Sequence, residues 1–203
     1  MCKEENNKTN ECFNKGVQNM ATEKTTSDQL RSLFKSLVCI IALIYIIRTF
    51  IFGPYIVQGA SMNPTLENGE RLFVNKLSYA IHDLQRGDII IVDGNGEAKH
   101  YVKRVVGLPG EEIEMKDDEL YINDKKVKEP YLERNLQAAR YLQMQLTGDF
   151  GPIKVPSDSI FVMGDNRLYS KDSRNGLGNV NINDVVGKAE FVFYPIQNVR
   201  NVY

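Results

Sequence analysis

Two residues of this 203-residue chain, a serine and a lysine, have the types and surroundings that nucleophilic catalysis requires. Ser61 begins the run SMNPT at residues 61–65, a few positions after the most apolar stretch of the chain. Lys103 stands within the run YVKRVVGLPG at residues 101–110, which has the pattern of an apolar strand that enters a turn. A serine hydroxyl becomes an effective nucleophile only when a base removes its proton. The pair therefore predicts a serine nucleophile with a lysine base.

Lysine can serve as that base only when its amine is neutral. Its pKa must then fall from about 10.4 to about 7 or 8, and a fall of about three units corresponds to about 4 kcal/mol. Burial in an apolar site can supply this, and strand alternation places Lys103 on the same face as Tyr101 and Val105. Arg104 points to the opposite face and stays protonated. We expect it to be a structural cation, paired with an aspartate from later in the chain.

A polar block at residues 164–174 follows the apolar run 160–163 and contains Asp165, Ser170, Asp172 and Arg174. Taken separately, each signal has a simpler interpretation. Ser61 could cap a helix, Lys103 could be a solvated lysine on an edge strand, and the late block could be a polar surface loop. The occurrence of all three after one apolar segment favours a catalytic site.

Composition excludes several classes of function. The formal net charge is -1 and no basic run is present, so we expect no nucleic acid partner. Cys2, Cys12 and Cys39 all precede residue 40, which leaves the rest of the chain without a disulfide or a cysteine metal site. His82 and His100 show no metalloprotease spacing, and we expect structural or surface roles for both. No cofactor or metal is predicted.

The N-terminal third predicts a membrane anchor. Residues 1–30 are polar and are expected to form a disordered cytoplasmic tail, whereas residues 31–52 are apolar on every face and predict one transmembrane helix. A cleavable signal peptide is the alternative, but the segment 51–55 puts too long an apolar gap before any cleavage site. Lys24, Arg31 and Lys35 favour a cytoplasmic N-terminus, and Arg48 opposes it.

Residues 53–203 alternate between apolar and polar, and turn signals separate the apolar runs. This predicts one mainly β catalytic domain made of a coiled antiparallel sheet. The predicted strands are residues 55–57, 70–77, 88–92, 99–106, 111–115, 119–122, 160–163 and 185–194. One helix is predicted at residues 132–146, and its apolar side would consist of Leu132, Leu136, Ala139, Leu142 and Leu146.

From about Ser32 to Tyr194 the chain resembles the type I signal peptidases, in their short Gram-positive form. The motifs that carry the resemblance, beside the Ser61 and Lys103 runs, are GER at 69–71, HYVKR at 100–104, GDFGP at 148–152 and SRNGLG at 173–178. The resemblance implies a single-pass enzyme of the cytoplasmic membrane with an extracytoplasmic catalytic domain. Such an enzyme cuts signal peptides from exported preproteins after small residues at positions -1 and -3.

The same resemblance implies roles for individual residues. Ser61 matches the nucleophile, Lys103 the general base, and Ser170 the position that orients the lysine amine. The Ser61 N–H is expected to hold the oxyanion, while Gly59 stands where some relatives carry a serine that adds a second donor. Asp165, Asp172 and Arg174 match residues that brace the site. The leader peptide is expected to add a strand along Tyr55, Ile56, Val57 and Gln58 and along the segment before Lys103, which includes Tyr101.

Two other classes are weighed against this interpretation. Self-cleaving SOS repressors share a Ser/Lys dyad on a related β fold, but the apolar anchor and the absence of a basic helix-turn-helix region oppose that assignment. A non-catalytic β module tethered to a membrane is opposed by the joint presence of Ser61, Lys103 and Ser170.

Overall fold

The computed structural model describes residues 28–45, 52–77, 84–94 and 97–202. The chain divides into two compact units, Met1–Arg48 and Thr49–Tyr203. Most of the predicted N-terminal tail, the last residues of the predicted anchor before Phe52, and His82 lie outside the described residues.

The first unit contains helix α1, residues 28–45. Its apolar side chains are exposed on all sides, among them Leu33, Phe34, Ile41 and Ile44, each more than half exposed. Of the helices in the described ranges, none combines the length and the apolar character needed to cross a membrane.

The second unit consists of two antiparallel sheets and a short helix. The larger sheet has the order β1-β2-β11-β3-β4-β9-β10, with β12 paired to β11, and the smaller sheet has the order β7-β6-β5-β8. Helix α2 spans Glu133–Tyr141 and follows a 3-10 turn at Pro130–Leu132. The strands are β1 Phe52–Ile56, β2 Arg71–Asn75, β3 Ile89–Gly94, β4 Glu97–Gly107, β5 Glu112–Lys116, β6 Glu119–Ile122, β7 Lys125–Val127, β8 Phe150–Lys154, β9 Ser159–Met163, β10 Val180–Asn181, β11 Val185–Tyr194 and β12 Arg200–Asn201.

The core falls into separate apolar clusters because the two sheets present different faces. One cluster lies beneath the Ser61 turn and includes Met62, Leu66 and Leu72. A second cluster joins the sheets, where Val106 and Phe161 of the larger sheet pack with side chains of the smaller one. Strand β4 contributes to the second cluster, so the strand that carries Lys103 is held from several sides.

The prediction of a mainly β, antiparallel domain is confirmed, and all eight predicted strands occur with shifts of a few residues at their ends. Four short strands were missed: β7, β8, β10 and β12. Strand β8 contains Gly151 and Pro152, which reduce strand propensity and suit an edge position, and β8 pairs only with β5.

The predicted helix at 132–146 was too long. Helix α2 ends at Tyr141, and Leu142 is 64% exposed rather than part of the apolar side. Leu146 is buried, but it reaches the core from the loop after the helix, where Asp118 accepts a hydrogen bond from its N–H at 2.9 Å. Local pattern alone could not distinguish a helical position from a loop residue that tertiary contacts bury.

Candidate active site

The turn between β1 and β2 presents Ser61 at the surface of a fixed frame. Met62 and Leu66 are almost fully buried, and the Leu66 N–H donates to the Met62 carbonyl at 3.0 Å. The residues around Ser61 are thus anchored in the core while Ser61 itself stays half-buried. An apolar residue at each of these two positions is what holds the hydroxyl in place.

Backbone carbonyls of this turn accept hydrogen bonds from distant donors. Because each carbonyl has its own partner, the turn cannot rotate as a flexible loop would. The donors are the Asn166 N–H to Ser61 O at 3.0 Å, Asn166 Nδ2 to Ala60 O at 3.0 Å, Asn135 Nδ2 to Asn63 O at 3.2 Å, and Arg200 Nη2 to Thr65 O at 2.7 Å.

Lys103 extends from β4 to the turn between β1 and β2, which is called the nucleophile turn because it carries the candidate nucleophile Ser61. The Lys103 Nζ lies 2.8 Å from Ser61 Oγ. The side chain is 2% exposed, and the ring of Tyr101 lies 5.9 Å from Nζ on the same face of the strand. Burial disfavours the ammonium form and lowers the pKa of Lys103 from 10.5 to about 8, although Asp172 and Asp165 act in the opposite direction. About a tenth of the amine is therefore neutral at pH 7 and about half at pH 8.

Arg104 lies on the opposite face of β4 and is held as a cation. Its guanidinium makes two hydrogen bonds to Asp165, at 2.8 and 2.6 Å, and one to the Gly87 carbonyl at 2.7 Å. It also stacks over the ring of Tyr131 at 4.0 Å. Asp165 in addition accepts a hydrogen bond from the Thr65 hydroxyl, so one carboxylate connects β4 to the nucleophile turn.

Asp172 and Arg174 form a second buried ion pair. Arg174 donates from Nε and Nη2 to Asp172 at 2.9 Å each, and the Gly164 N–H donates to the same carboxylate at 3.0 Å. Burial alone would raise the pKa of Asp172, but the hydrogen bonds and charge of Arg174 hold it below its usual value. The carboxylate therefore stays ionised near Lys103.

Ser170 and Gly164 meet at the back of the site. Ser170 is buried and lies near Asp172. Its Oγ makes no hydrogen bond of ordinary geometry with any described residue, and so none with Lys103. A Cβ on Gly164 would lie 2.3 Å from Ser170 Oγ and 2.4 Å from Ser61 O. Only glycine permits this approach of the late loop to the nucleophile turn.

Strand β1 is an edge strand of the larger sheet, since β2 is its one partner among the described strands, and it leads into the turn that carries Ser61. Val57 continues its pairing, since its N–H bonds to Glu70 O at 2.8 Å and its carbonyl accepts from Gly69 N at 2.9 Å. Val57 is also 3% exposed, so neither its side chain nor its backbone is open to a ligand. The exposed neighbours Ile56 and Gln58 direct their backbone groups to the open side, because alternate residues of an antiparallel pair do so.

The first part of β4 forms a second open edge. Among the described strands, β9 pairs with β4 from Arg104 onward, and β3 is the strand that pairs with the residues before Arg104. The Val105 backbone bonds toward β3, and alternation then directs the backbone groups of Val102 and His100 to the open side. The rings of Tyr55 and His100 are in edge contact at 5.5 Å, which brings the two open edges together. His100 is half-exposed and pairs with Asp93 at 2.7 Å.

Several residues that organise the site were not assigned roles from the sequence. Thr65, Glu70, Asn166 and Arg167 lie within the motifs described above, but those motifs did not indicate these contacts, because the partners lie far apart in the chain. The residues without an assigned role are Thr65, Asn135 and Asn166 around the nucleophile turn, Glu129 with its partner Arg167, and Glu70 with its partner Arg200.

A family model described as signal peptidase, peptidase S26, matches residues 30–194. The chain therefore belongs to this family, and the resemblance seen in its motifs is confirmed. It is 52% identical over 186 residues to signal peptidase I T of Bacillus subtilis (strain 168), a match that covers 90% of this chain and 96% of that protein.

A second relative and one solved structure are also similar to the chain. A signal peptidase I of Bacillus amyloliquefaciens is 55% identical over 166 residues, covering 82% of this chain and 86% of that protein. Among solved structures, a signal peptidase I from Enterococcus faecalis V583 is 37% identical with a TM-score of 0.47, covering 53% of this chain and 97% of that chain.

Proposed function

We propose that this protein is a signal peptidase that removes N-terminal signal peptides from preproteins, with Ser61 as nucleophile and Lys103 as general base. The observation that carries the proposal is the 2.8 Å contact between Lys103 Nζ and Ser61 Oγ, made by a lysine that is 2% exposed. The family membership supports the same reaction.

The reaction proceeds by acyl transfer. Neutral Lys103 accepts the Ser61 proton while Oγ bonds to the carbonyl carbon of the scissile peptide. The resulting ammonium then donates a proton to the leaving amine as the C–N bond breaks. A water molecule then gives a proton to the same lysine and bonds to the ester carbon. As the ester C–O bond breaks, the lysine returns that proton to Ser61 Oγ, and the signal peptide is released. Asp165, Asp172, Arg174 and Arg104 hold the loop and strand that keep the two groups together.

The Ser61 N–H is the proposed oxyanion donor. Asn166 Nδ2 holds the Ala60 carbonyl at 3.0 Å, and in a trans peptide the N–H points opposite to the carbonyl. The Ser61 N–H is therefore directed away from Asn166, and it donates to no partner among the described backbone hydrogen bonds. A preorganised donor of this kind stabilises the charge that develops on the substrate oxygen.

The signal peptide binds as an added strand between the open edges of β1 and β4. Backbone groups of Ile56 and Gln58 on one side, and of His100 and Val102 on the other, are oriented to pair with it. Side chains two residues apart in a strand share a face, so those at -1 and -3 point together into the body of the enzyme near Tyr101. Small residues at these two positions fit such a closed face.

The apolar segment 31–52, which helix α1 covers in part, is the proposed membrane anchor, with the second unit on the outer side of the cytoplasmic membrane. Apolar side chains exposed all round the helix support this placement, since a helix in water would hide them. Protease added to intact spheroplasts should digest the second unit. Protection until lysis would reverse the proposed orientation.

The activity is tested by incubating the solubilised protein with a preprotein and determining the product's N-terminus by mass spectrometry. Ser61→Ala should abolish cleavage, whereas Ser157→Ala, at an exposed serine outside the site, should cut like wild type. Undiminished cleavage by Ser61→Ala would refute the assignment of the nucleophile.

A further inference from the structure

Asn135 connects helix α2 to both loops of the active site. Its Nδ2 donates to the carbonyl of Asp165 at 2.9 Å and to the carbonyl of Asn63, two residues after the nucleophile, at 3.2 Å. The side chain is half-buried and lies in the first turn of α2. One amide thus joins the nucleophile turn to the loop that follows β9.

The contact with Asp165 is transmitted directly to Ser61. The peptide unit between Asp165 and Asn166 accepts the Asn135 hydrogen bond through its carbonyl and donates to Ser61 O at 3.0 Å through its N–H. In a trans peptide these two groups point in opposite directions, so a donor on one side fixes the direction of the other. Hydrogen bonds in such a chain also polarise and strengthen one another.

The same peptide plane carries the side chain that sets the oxyanion donor. Asn166 Nδ2 holds Ala60 O, which directs the Ser61 N–H toward the substrate. If the plane of residues 165–166 turned, the Ser61 carbonyl would lose the Asn166 N–H, and the Ala60 carbonyl would lose the Asn166 amide while it kept the Asn63 N–H at 3.1 Å. Asn135 is the donor that holds this plane from the far side.

We propose that Asn135 is a positioning residue for catalysis, which fixes the direction of the Ser61 N–H and Oγ through the peptide unit 165–166. The proposal rests on the assignment of Ser61 and Lys103 as the catalytic pair. Among the described residues the Asn135 side chain bonds to Asn63 and Asp165, and not to Lys103 or to the open edges of β1 and β4, so its effect falls on the chemical step and not on peptide binding.

The test compares Asn135→Ala and Asn135→Asp with Gln137→Ala in the full-length, solubilised protein. Gln137 is an exposed amide on the same helix, and its side chain bonds only within the helix, to Glu133 at 2.9 Å. Alanine removes the donor, and alanine is a better helix former than asparagine. Aspartate replaces the donor by an oxygen that repels both carbonyls, while a negative charge in the first turn favours the helix.

We expect kcat for preprotein cleavage to fall about tenfold in Asn135→Ala and further in Asn135→Asp, because small misplacements of reacting groups have large effects on rate. KM should change less than about twofold, as expected when an interaction made only in the transition state is lost. The pH at which kcat rises to half of its maximum should be the same as in wild type, since Lys103 remains buried. Gln137→Ala should match wild type.

Full kcat in both Asn135 variants would overturn the proposal. The proposal would also be overturned if the loss of kcat came with a shift of the pH profile to higher pH and with a fall in Tm relative to wild type. That combination would mean that the whole site has loosened and that Lys103 is less buried. Ser61→Ala is measured in parallel. If Ser61→Ala cleaves like wild type, the assignment of the catalytic pair fails, whatever the Asn135 variants do.

Discussion

The two faces of strand β4 carry neighbouring buried cations in different surroundings. Lys103 is 2% exposed and its described hydrogen-bond partner is the uncharged hydroxyl of Ser61. Arg104 is 4% exposed and is held by two bonds to Asp165, a bond to the Gly87 carbonyl and the ring of Tyr131. Burial is therefore nearly equal on the two faces, and the partners differ.

This difference shows what makes a buried base in this fold. Burial without a directly bonded carboxylate lowers the pKa of Lys103 to about 8 and lets it exchange a proton. Burial with a carboxylate and planar partners creates a fixed ion pair that organises the surrounding chain. In the proposed mechanism, adjacent residues on one strand thus have opposite functions, since Lys103 moves a proton and Arg104 holds the structure.

The largest effect on activity is expected when the side chain at position 103 can no longer lose its positive charge. Lys103→Arg keeps a positive charge but cannot deprotonate at ordinary pH. We expect kcat/KM for preprotein cleavage to fall by about 1000-fold or more, because proton transfer to the base is lost. Substantial cleavage by this variant at neutral pH would mean that the cation acts only electrostatically.

On the Arg104 face, removing the counter-charge should affect stability. Asp165→Asn preserves the shape of the side chain and leaves Arg104 buried without a carboxylate. The free energy of unfolding should fall by about 3–5 kcal/mol, as found when one partner of a buried pair is lost. Denaturant titration of the solubilised protein measures this. If the free energy of unfolding fell by only about 0.3 kcal/mol, water or another group would have replaced the carboxylate.

Lys103→Met should make the protein more stable at neutral pH, the reverse of the Asp165 result. The folded protein has a pKa of about 8 at Lys103 against 10.5 ordinarily, so the buried ammonium costs about 3 kcal/mol at 1.36 kcal/mol per unit. That cost is fully present below pH 8 and disappears above pH 10.5. The stability gain of Lys103→Met over wild type should fade across the same interval, and an equal gain at pH 11 would contradict it.

Activity should follow the neutral fraction of Lys103. Since the amine must be neutral, kcat/KM should rise about tenfold per pH unit below a midpoint near pH 8 and level off above it. Between pH 6 and the plateau this amounts to about 100-fold. The substrate should be a preprotein without histidine near the cleavage site, so that ionisation of the substrate does not contribute to the pH dependence. A flat profile down to pH 6 would exclude Lys103 as the titrating base.

The smallest effect is expected at an ion pair that shares the chemistry of Arg104–Asp165 but not its burial. Lys126 and Glu119 pair on the smaller sheet, with side chains 55% and 42% exposed. Lys126→Ala should leave the midpoint of thermal unfolding unchanged within error, because solvent screens exposed pairs. A loss comparable to that of Asp165→Asn would remove burial as the explanation for the difference between pairs.

Much of both sheets could be predicted because their strands are apolar or alternating runs that turn signals separate. The runs that became β2, β3 and β4 of the larger sheet and β6 of the smaller one are of this kind. The missed strands are very short or contain glycine and proline, and pairing with a neighbour forms them rather than local preference. The end of α2 was misplaced because burial of Leu146 depends on a loop and not on helical spacing.

At the candidate site, local sequence indicated the candidate residues but not their contacts. The placement of Lys103 and Arg104 on opposite faces followed from strand alternation alone. The identity of the arginine's partner as Asp165, the closed backbone of Val57 and the absence of a hydrogen bond from Ser170 to Lys103 among the described residues became visible only in the folded chain.

The sequence by itself determined a mainly β domain after an apolar segment and a Ser61–Lys103 pair in recognisable motifs, because periodicity and motif spacing are local properties. The tertiary structure decided how far the lysine is buried from water and which groups position the serine. Those properties depend on contacts between residues 40 or more positions apart, such as Lys103 with Ser61 and Asn166 with Ala60. Desolvation and hydrogen-bond direction are set by packing in three dimensions, and no single segment contains them.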